Sequence, residues 1–281
     1  VDAEFKFTSD DFRTIAEILY SESGISLKSS KSALVYGRLA KRVRALGLAD
    51  FARYCAFVSS PEGAAERMEM RAALTTNVTR FFRENHHFEH LTKHVIPGLA
   101  VAAGRGACIR IWSAACSTGQ EPYSLALTIL QSFPEAASRD VRILATDIDP
   151  HCLATAREGV YSDEAICDVP SDLRRRYFAR IGEEGREAWR VGPELRSLVT
   201  FRELNLVGDW PMRKAFQVVM CRNVVIYFDE PTQQRVWKKL PGLMTPAGVL
   251  YIGHSERVTG VASQHFRLIG NSTYRLEGEE R

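Results

Sequence analysis

The run from Ile109 to Pro150 holds the residues best placed to do chemistry. It reads I-R-I-W-S-A-A-C-S-T-G-Q-E-P-Y-S over Ile109–Ser124 and V-R-I-L-A-T-D-I-D-P over Val141–Pro150. These are two strand-like segments separated by one helical crossover. A strand, a tight turn at Thr118-Gly119, a helix and a second strand closing on an acid outline a nucleotide-binding βαβ unit, in which the acid accepts hydrogen bonds from ribose hydroxyls. Asp147 is placed to be that acid. Only Gly119 lies in the turn, so the glycines of a G-x-G-x-x-G pyrophosphate cradle are missing. What fits is a nucleoside without a phosphate chain, and S-adenosylmethionine is the common one.

Polar groups gather in two further segments. T-T-N-V-T-R-F-F-R-E, Thr75 to Glu84, sets Asn77, Thr79 and Arg83 around two phenylalanines. They could line a pocket from a loop between domains; the plainer reading is a helix start capped by Asn77 or Thr79. V-V-M-C-R-N-V-V-I-Y-F-D, Val218 to Asp229, is an apolar strand that breaks at Cys221-Arg222-Asn223. Ligands of open α/β sheets bind at carboxyl strand ends, which makes Asn223 and Tyr227 candidates. Cys221 has the chemistry of a nucleophile, as in cytosine methyltransferases, but a small buried hydrophobe at a strand end explains it better. His86, His90 and His94 recur every four residues. One straight helix does not easily wrap a tetrahedral ion, so they read as polar helix surface and no metal is expected.

Between Glu22 and Asp50 there is no acid, but there are six bases: Lys28, Lys31, Arg38, Lys41, Arg42 and Arg44. At about 100° per residue, Lys31, Arg38 and Arg42 share a helical stripe, with Lys41 and Arg44 beside it. Val35, Leu39, Val43 and Leu46 form the adjacent apolar stripe. This is either a solvated face over a buried one or a docking face for an acidic partner. Nucleic acid would call for interleaved aromatics, and the helix carries only Tyr36.

These residues need elements to hold them. Helical patterns occupy residues 1 to about 75: one from Ser9 or Asp10 through Tyr20, one over about 30–46 stopping at Gly47, one carrying Phe51, Tyr54, Cys55 and Val58, and one over about 63–74. Strand patterns begin only after residue 108. Beyond the two segments already quoted they fall at Val199–Leu204, Gln217–Cys221, Val249–Gly253 and Thr273–Leu276. Helices at Glu121–Phe133, Pro150–Glu158 and Pro231–Leu240 alternate with them. The expected fold class is α/β: a small all-helical N-terminal domain over 1–75, then a Rossmann-like domain over 76–281 with a mostly parallel, doubly wound sheet. Residues from about 168 to 200 break the alternation and suggest a small inserted β-hairpin with Gly182-Glu-Glu-Gly185 as its turn.

Composition narrows the classes. A chain of 281 residues with 45% hydrophobic content can bury real cores, and a net charge of +3 is no global nucleic-acid signature. No apolar run approaches the ~18 residues of a membrane span, and the opening V-D-A-E-F-K-F is too charged for a signal peptide. Six scattered cysteines without a C-x-x-C read as free thiols in a reducing cytosol.

Taken in order, the segments resemble the chemotaxis-receptor methyltransferase (CheR) family. The markers are G-I-S-L at Gly24, R-L-A-K-R-V-R at Arg38, T-T-N-V-T-R-F-F-R-E, S-T-G-Q-E-P-Y-S, A-T-D-I-D, R-E-L-N-L at Arg202, C-R-N-V-V-I-Y-F and G-H-S-E at Gly253. The resemblance covers nearly the whole chain. It implies S-adenosylmethionine as methyl donor, S-adenosylhomocysteine as product, no metal, and glutamate side chains of chemoreceptors as acceptors. Carried over by position, it implies a cofactor site of Asn77, Thr79, Arg83, Glu121, Asp147, Asn205, Leu206, Asn223 and Val224. Arg83 and Tyr227 are implied to face the acceptor glutamate. Lys31, Arg38, Lys41, Arg42 and Arg44 would dock the acidic face of a receptor helical bundle. The odd interval at about 168–200 would be the family's β-subdomain, which in some members grips a receptor C-terminal pentapeptide. A cytoplasmic monomer that inserts into no membrane and binds no nucleic acid follows. Two rivals remain: a nucleic-acid methyltransferase using Cys221, and a non-catalytic receptor-binding adaptor.

Overall fold

The computed structural model describes residues 4–182 and 187–277. The chain divides into two compact units. One runs up to Thr76 and also takes in Tyr227–Thr232; the other holds Asn77–Ile226 and the residues from Gln233 onward.

The first unit is helical: α1 (Ser9–Ser23), α2 (Ser32–Ala45), α3 (Phe51–Ser59) and α4 (Ala64–Leu74). Helix α1 is capped one residue earlier than expected. The Thr8 hydroxyl accepts the Asp11 N–H while the Asp11 carboxylate accepts the Thr8 N–H, a reciprocal capping box. Apolar stripes bring Ile15 and Leu19, Val35, Leu39 and Val43, Phe51, Tyr54 and Val58, and Met70 and Leu74 into one core. The late segment closes this unit. Ile25 pairs with Phe228, Ser26 N–H donates to the Tyr227 carbonyl at 2.9 Å, and the Tyr20 hydroxyl donates to Asp229 at 2.9 Å.

Three cations of the basic stripe have partners inside the unit. Arg38 donates to the carbonyls of Ala73, Leu74 and Thr75 at 3.3, 2.9 and 2.8 Å, satisfying the open C-terminus of α4. Arg42 Nε donates at 2.9 Å to the buried Glu66, which also accepts the Tyr54 hydroxyl at 2.9 Å. Arg44, though exposed, pairs with Glu4. Lys31 and Lys41 are exposed.

After the first unit, the chain runs through α5 (His86–His90), a π-helical turn at Leu91–Val95, α6 (Ile96–Gly104), β1 (Ile109–Ala114), α7 (Gln120–Ser132), β2 (Val141–Asp147) and α8 (Pro150–Glu158). It continues through β3 (Val160–Ser162), α9 (Ser171–Tyr177), β4 (Phe178–Ile181), β5 (Ala188–Val191), α10 (Pro193–Leu198) and β6 (Val199–Glu203). Last come β7 (Phe216–Cys221), α11 (Glu230–Lys239), β8 (Met244–Ile252), β9 (Phe266–Gly270) and β10 (Thr273–Leu276).

Seven strands make one sheet in the order β6-β2-β1-β7-β8-β10-β9. The first five are parallel, whereas β10 runs antiparallel to both β8 and β9. The parallel strands are apolar because both their faces are covered; Ile109, Ile111, Ile143, Val218 and Met220 lie in the main core with Leu125 and Ile129 of α7. The strand order reverses between β1 and β7, where open α/β sheets bind ligands. The expected hairpin in the insertion is β4–β5, but it is part of a three-stranded antiparallel sheet, β3-β5-β4. The third strand comes from Val160–Ser162, ahead of the expected boundary near 168. Beyond Gly182, the expected turn at Gly182–Gly185 lies outside the described residues.

Candidate functional site

The site residues of the second unit gather at the carboxyl ends of β1, β2, β6 and β7. Asp147 closes β2 and is nearly buried. One of its oxygens accepts the Ser117 N–H at 2.7 Å and the other accepts the Asp149 N–H at 2.9 Å. Burial pushes its carboxyl above the ordinary range, and the two N–H groups work against that push. The β1–α7 turn is therefore fastened to the end of β2 through this one side chain. Asn77 joins the same network: its amide donates to Asp149 at 2.9 Å and its carbonyl accepts the Ser117 hydroxyl at 2.9 Å. Asp149 also caps α8 through the His151 N–H at 2.9 Å. Gly119 closes the turn at φ +96°, where a Cβ would lie 2.8 Å from Tyr161 Oη and 2.9 Å from Ala156 Cβ, so no other residue fits.

The centre of the site is Arg222, whose position sequence reasoning passed over. Its side chain is 1% exposed and lies 3.1 Å from Glu121 and 3.4 Å from Glu84. It also donates to the Arg83 carbonyl. Glu121, at the start of α7, accepts the Ser113 hydroxyl at 2.7 Å. Burial raises the Glu121 carboxyl despite the guanidinium, and Glu84 raises it further. Burial would raise Glu84 as well, but Arg222, with hydrogen bonds from His254 and Asn223, brings it down to about 2. The available signal for Arg222 was a cation directly after the apolar run V-V-M-C, where a buried charge needs carboxylate partners.

Thr75–Glu84 does not begin a helix, so the capping role considered for Asn77 and Thr79 fails. Phe82 and Glu84 have φ of 51° and 57°, and α5 starts only at His86. Thr79 is half-buried, and Arg83 is half-buried with its guanidinium donating to the Val78 carbonyl at 2.8 Å. Asn205 and the buried Leu206 follow β6, which is tied to β2 by the Leu204 N–H on the Asp147 carbonyl at 3.0 Å. Asn205 also accepts the Val207 N–H at 3.0 Å. Asn223, at φ 56°, donates to Glu84 at 3.1 Å. The N–H groups of Asn223 and Val224 both donate to the buried Glu256 at 2.9 Å. Tyr227 is grouped with the helical unit.

Cys221 and the histidines are the remaining candidates. Cys221 is 1% exposed, and burial pushes its thiol well up, away from a reactive thiolate. Of the three spaced histidines, His94 is exposed and His86 and His90 are half-buried; a π-helical turn at Leu91–Val95 interrupts the α-helix after His90. His87 is fully buried with Nε2 on the Asn271 carbonyl at 3.2 Å, and His90 meets the Tyr251 hydroxyl at 2.9 Å. Burial, with Arg222 adding to it, lowers His87 to about 3. Glu84, His86 and His87 bring potential ligand atoms within 4.8 Å of one another. The guanidinium of Arg222 already supplies the positive charge at Glu84.

Two family profiles match the chain. "CheR methyltransferase, all-alpha domain" matches residues 10–75 and "CheR methyltransferase, SAM binding domain" matches residues 77–275. A Rhizobium etli protein named "Probable chemotaxis protein methyltransferase" is 53% identical over 258 residues, covering 92% of this chain and 96% of that one. "Chemotaxis protein methyltransferase 2" of Pseudomonas aeruginosa is 42% identical, covering 96% and 94% of the two chains. "Chemotaxis protein methyltransferase" of Escherichia coli is 38% identical, covering 94% and 90%.

Proposed function

The chain belongs to the CheR methyltransferase family, and from that premise we propose that it methylates glutamate side chains of chemoreceptors, forming methyl esters with S-adenosylmethionine as donor. The observation that carries this reading is the Glu84–Arg222–Glu121 cluster, hydrogen-bonded to Asn223 at the carboxyl end of β7, where the strand order of the sheet reverses. The residues present fit the donor. Asp147 stands at the strand end where ribose hydroxyls are bound in such folds, and the single-glycine turn offers no pyrophosphate cradle.

When bound, S-adenosylmethionine supplies an electrophilic methyl group whose sulfur is the leaving group. The acceptor is a carboxylate with an ordinary pKa of about 4.3, so it arrives ionised and no general base is needed. Methyl transfer to a carboxylate oxygen would release S-adenosylhomocysteine, so the protein would have no proton to move. The protein's task is alignment, an effect worth up to ~7–11 kcal/mol. In this reading Asn77, Thr79, Glu121, Asp147, Asn205, Leu206, Asn223 and Val224 hold the donor, while Arg83 and Tyr227 orient the acceptor. Arg222 touches neither; it fixes Glu84, Glu121 and the Arg83 backbone. The buried, high-pKa Cys221 gives no support to a nucleic-acid methyltransferase working through a cysteine.

The partner is a receptor's acidic helical bundle in the cytoplasm, met by the exposed Lys31 just ahead of α2 and the exposed Lys41 and Arg44 on it. A receptor C-terminal peptide is assigned to the β3-β5-β4 sheet, whose outer strands β3 and β4 each pair, among the described residues, with β5 alone. The test is incubation with labelled S-adenosylmethionine and receptor-containing membranes. Base-labile label on the receptor is expected, since carboxyl methyl esters hydrolyse in base; base-stable label, or label on nucleic acid, refutes the reading.

A further inference from the structure

The G-H-S-E segment after β8 brings a carboxylate into the site with no cation beside it. Glu256 is 6% exposed, and among the described residues no Lys, Arg or His lies within ion-pair range of it. A buried charge of this kind is costly unless hydrogen bonds replace the water it has lost. Five backbone N–H groups do so. Oε2 accepts Gly253 at 2.6 Å and Asn223 at 2.9 Å; Oε1 accepts Val224 at 2.9 Å, Val225 at 2.9 Å and Ile226 at 3.4 Å.

Four of the five donors belong to one turn, the break after β7. Asn223 there has φ 56°, a left-handed conformation that a non-glycine residue adopts only when its surroundings enforce it. That conformation points successive N–H groups at a single spot, forming a nest for an anion. The chain fills the nest itself. Gly253 allows the approach: a Cβ there would lie 2.5 Å from the Asn223 amide nitrogen and 2.9 Å from both Asn223 N and Glu256 Oε2.

We infer that Glu256 is a positioning residue of the methyl-transfer site, a templating anion that holds the 222–226 turn in the conformation presenting Asn223 and Val224. It contacts neither donor nor acceptor. The hydrogen bond from Asn223 to Glu84 at 3.1 Å follows from the same conformation, so the anion nest and the Arg222 cluster are joined through Asn223. The inference rests on the reading that Asn223 and Val224 line the S-adenosyl site.

The test compares Glu256→Gln, Asn223→Ala and the double variant, with S-adenosylhomocysteine affinity measured by calorimetry and folding checked by circular dichroism and thermal melting. Glutamine keeps the shape but must put an NH₂ donor where one of the two carboxylate oxygens accepts N–H groups. Glu256→Gln is expected to weaken binding about 10- to 100-fold, the equivalent of losing about one charge-assisted hydrogen bond. The double variant should bind less weakly than the sum of the two single losses would give, because both changes disturb the same arrangement. Additive effects, or normal affinity in folded Glu256→Gln, overturn the inference. Should Glu256→Gln fail to fold, Glu256→Asp keeps the anion and draws it back from the nest; weakened binding in a folded Glu256→Asp supports the inference and normal binding overturns it. Normal affinity in Asn223→Ala instead strikes at the underlying site reading, which separates the two failures.

Discussion

Replacing Arg222 by Met removes one cation from between two carboxylates, and the cost can be worked from their titration. Glu84 is held at about 2 against an ordinary value of 4.5. At neutral pH that depression corresponds to roughly 3 kcal/mol of stability, shared among Arg222, His254 and Asn223. Loss of one partner from a buried ion pair typically costs about 3–5 kcal/mol, because the survivors remain buried and charged. We therefore expect Arg222→Met to lose about 3 kcal/mol in urea unfolding at pH 7.5. The pH dependence gives a second check. The folded Glu84 carboxyl lies below its unfolded value, so its contribution is complete above about 4.5 and fades as pH falls toward 2. In the variant, burial pushes both Glu84 and Glu121 upward, and the penalty they impose is relieved once they take up protons. The gap between wild type and variant is thus widest near neutrality and narrows on acidification to pH 4.5. A loss below about 1 kcal/mol, or one that is the same at both pH values, would refute the assignment of Arg222 as the shared counter-ion.

Three further outcomes follow from the same geometry. Asp147→Ala frees the N–H groups of Ser117 and Asp149 and removes the acid meant for the ribose; calorimetry should show S-adenosylhomocysteine affinity reduced by about 1.5–3 kcal/mol, and unchanged affinity in a folded protein rejects that role. Cys221→Ser should retain methyl transfer and form no covalent adduct, whereas abolished turnover with normal cofactor binding would restore the cysteine mechanism. Arg42→Ala should destabilise the protein by at least 2 kcal/mol in thermal or urea melts, since it leaves Glu66 buried and unpaired; Lys41→Glu should leave stability within about 0.5 kcal/mol and reduce receptor methylation, and the reverse pattern would return α2 to the role of a plain surface.

Much of the parallel sheet was legible because its strands are long, apolar and spaced by helices of ordinary length. Thr273–Leu276 matches its expected range, and β7 and α7 differ by a residue at their ends. The elements that escaped were short or had no period of their own. Val160–Ser162 is three residues long and is a strand only because Ala188–Val191 pairs with it. Among the described residues Phe266–Gly270 pairs only with β10, and its alternation is too brief to distinguish from loop. In the site, Asp147 could be read from its place at a strand end. Glu256 could not, because its partners are main-chain N–H groups, which have no signature in the amino-acid string. Arg42 looked like a free surface charge because its acid lies 24 residues further along and reaches it only through packing of α2 against α4.

The six residues Tyr227–Thr232 also bear on the order in which the molecule can be made. Ile25, Ser26 and Tyr20 have partners in a segment that leaves the ribosome about 150 residues after α4. At about 5–20 residues per second, that is a wait of roughly 8–30 s. The helical unit is therefore first in the sequence and among the last to be completed. The same stitching means the unit is not a cassette: the polypeptide crosses between the two units three times, at Thr76-Asn77, Ile226-Tyr227 and Thr232-Gln233. An excised fragment ending at Thr76 loses its closing strand partner, and a transplanted catalytic unit would carry six residues of its neighbour with it. Recombination between relatives is accordingly expected to exchange the two units together more readily than apart.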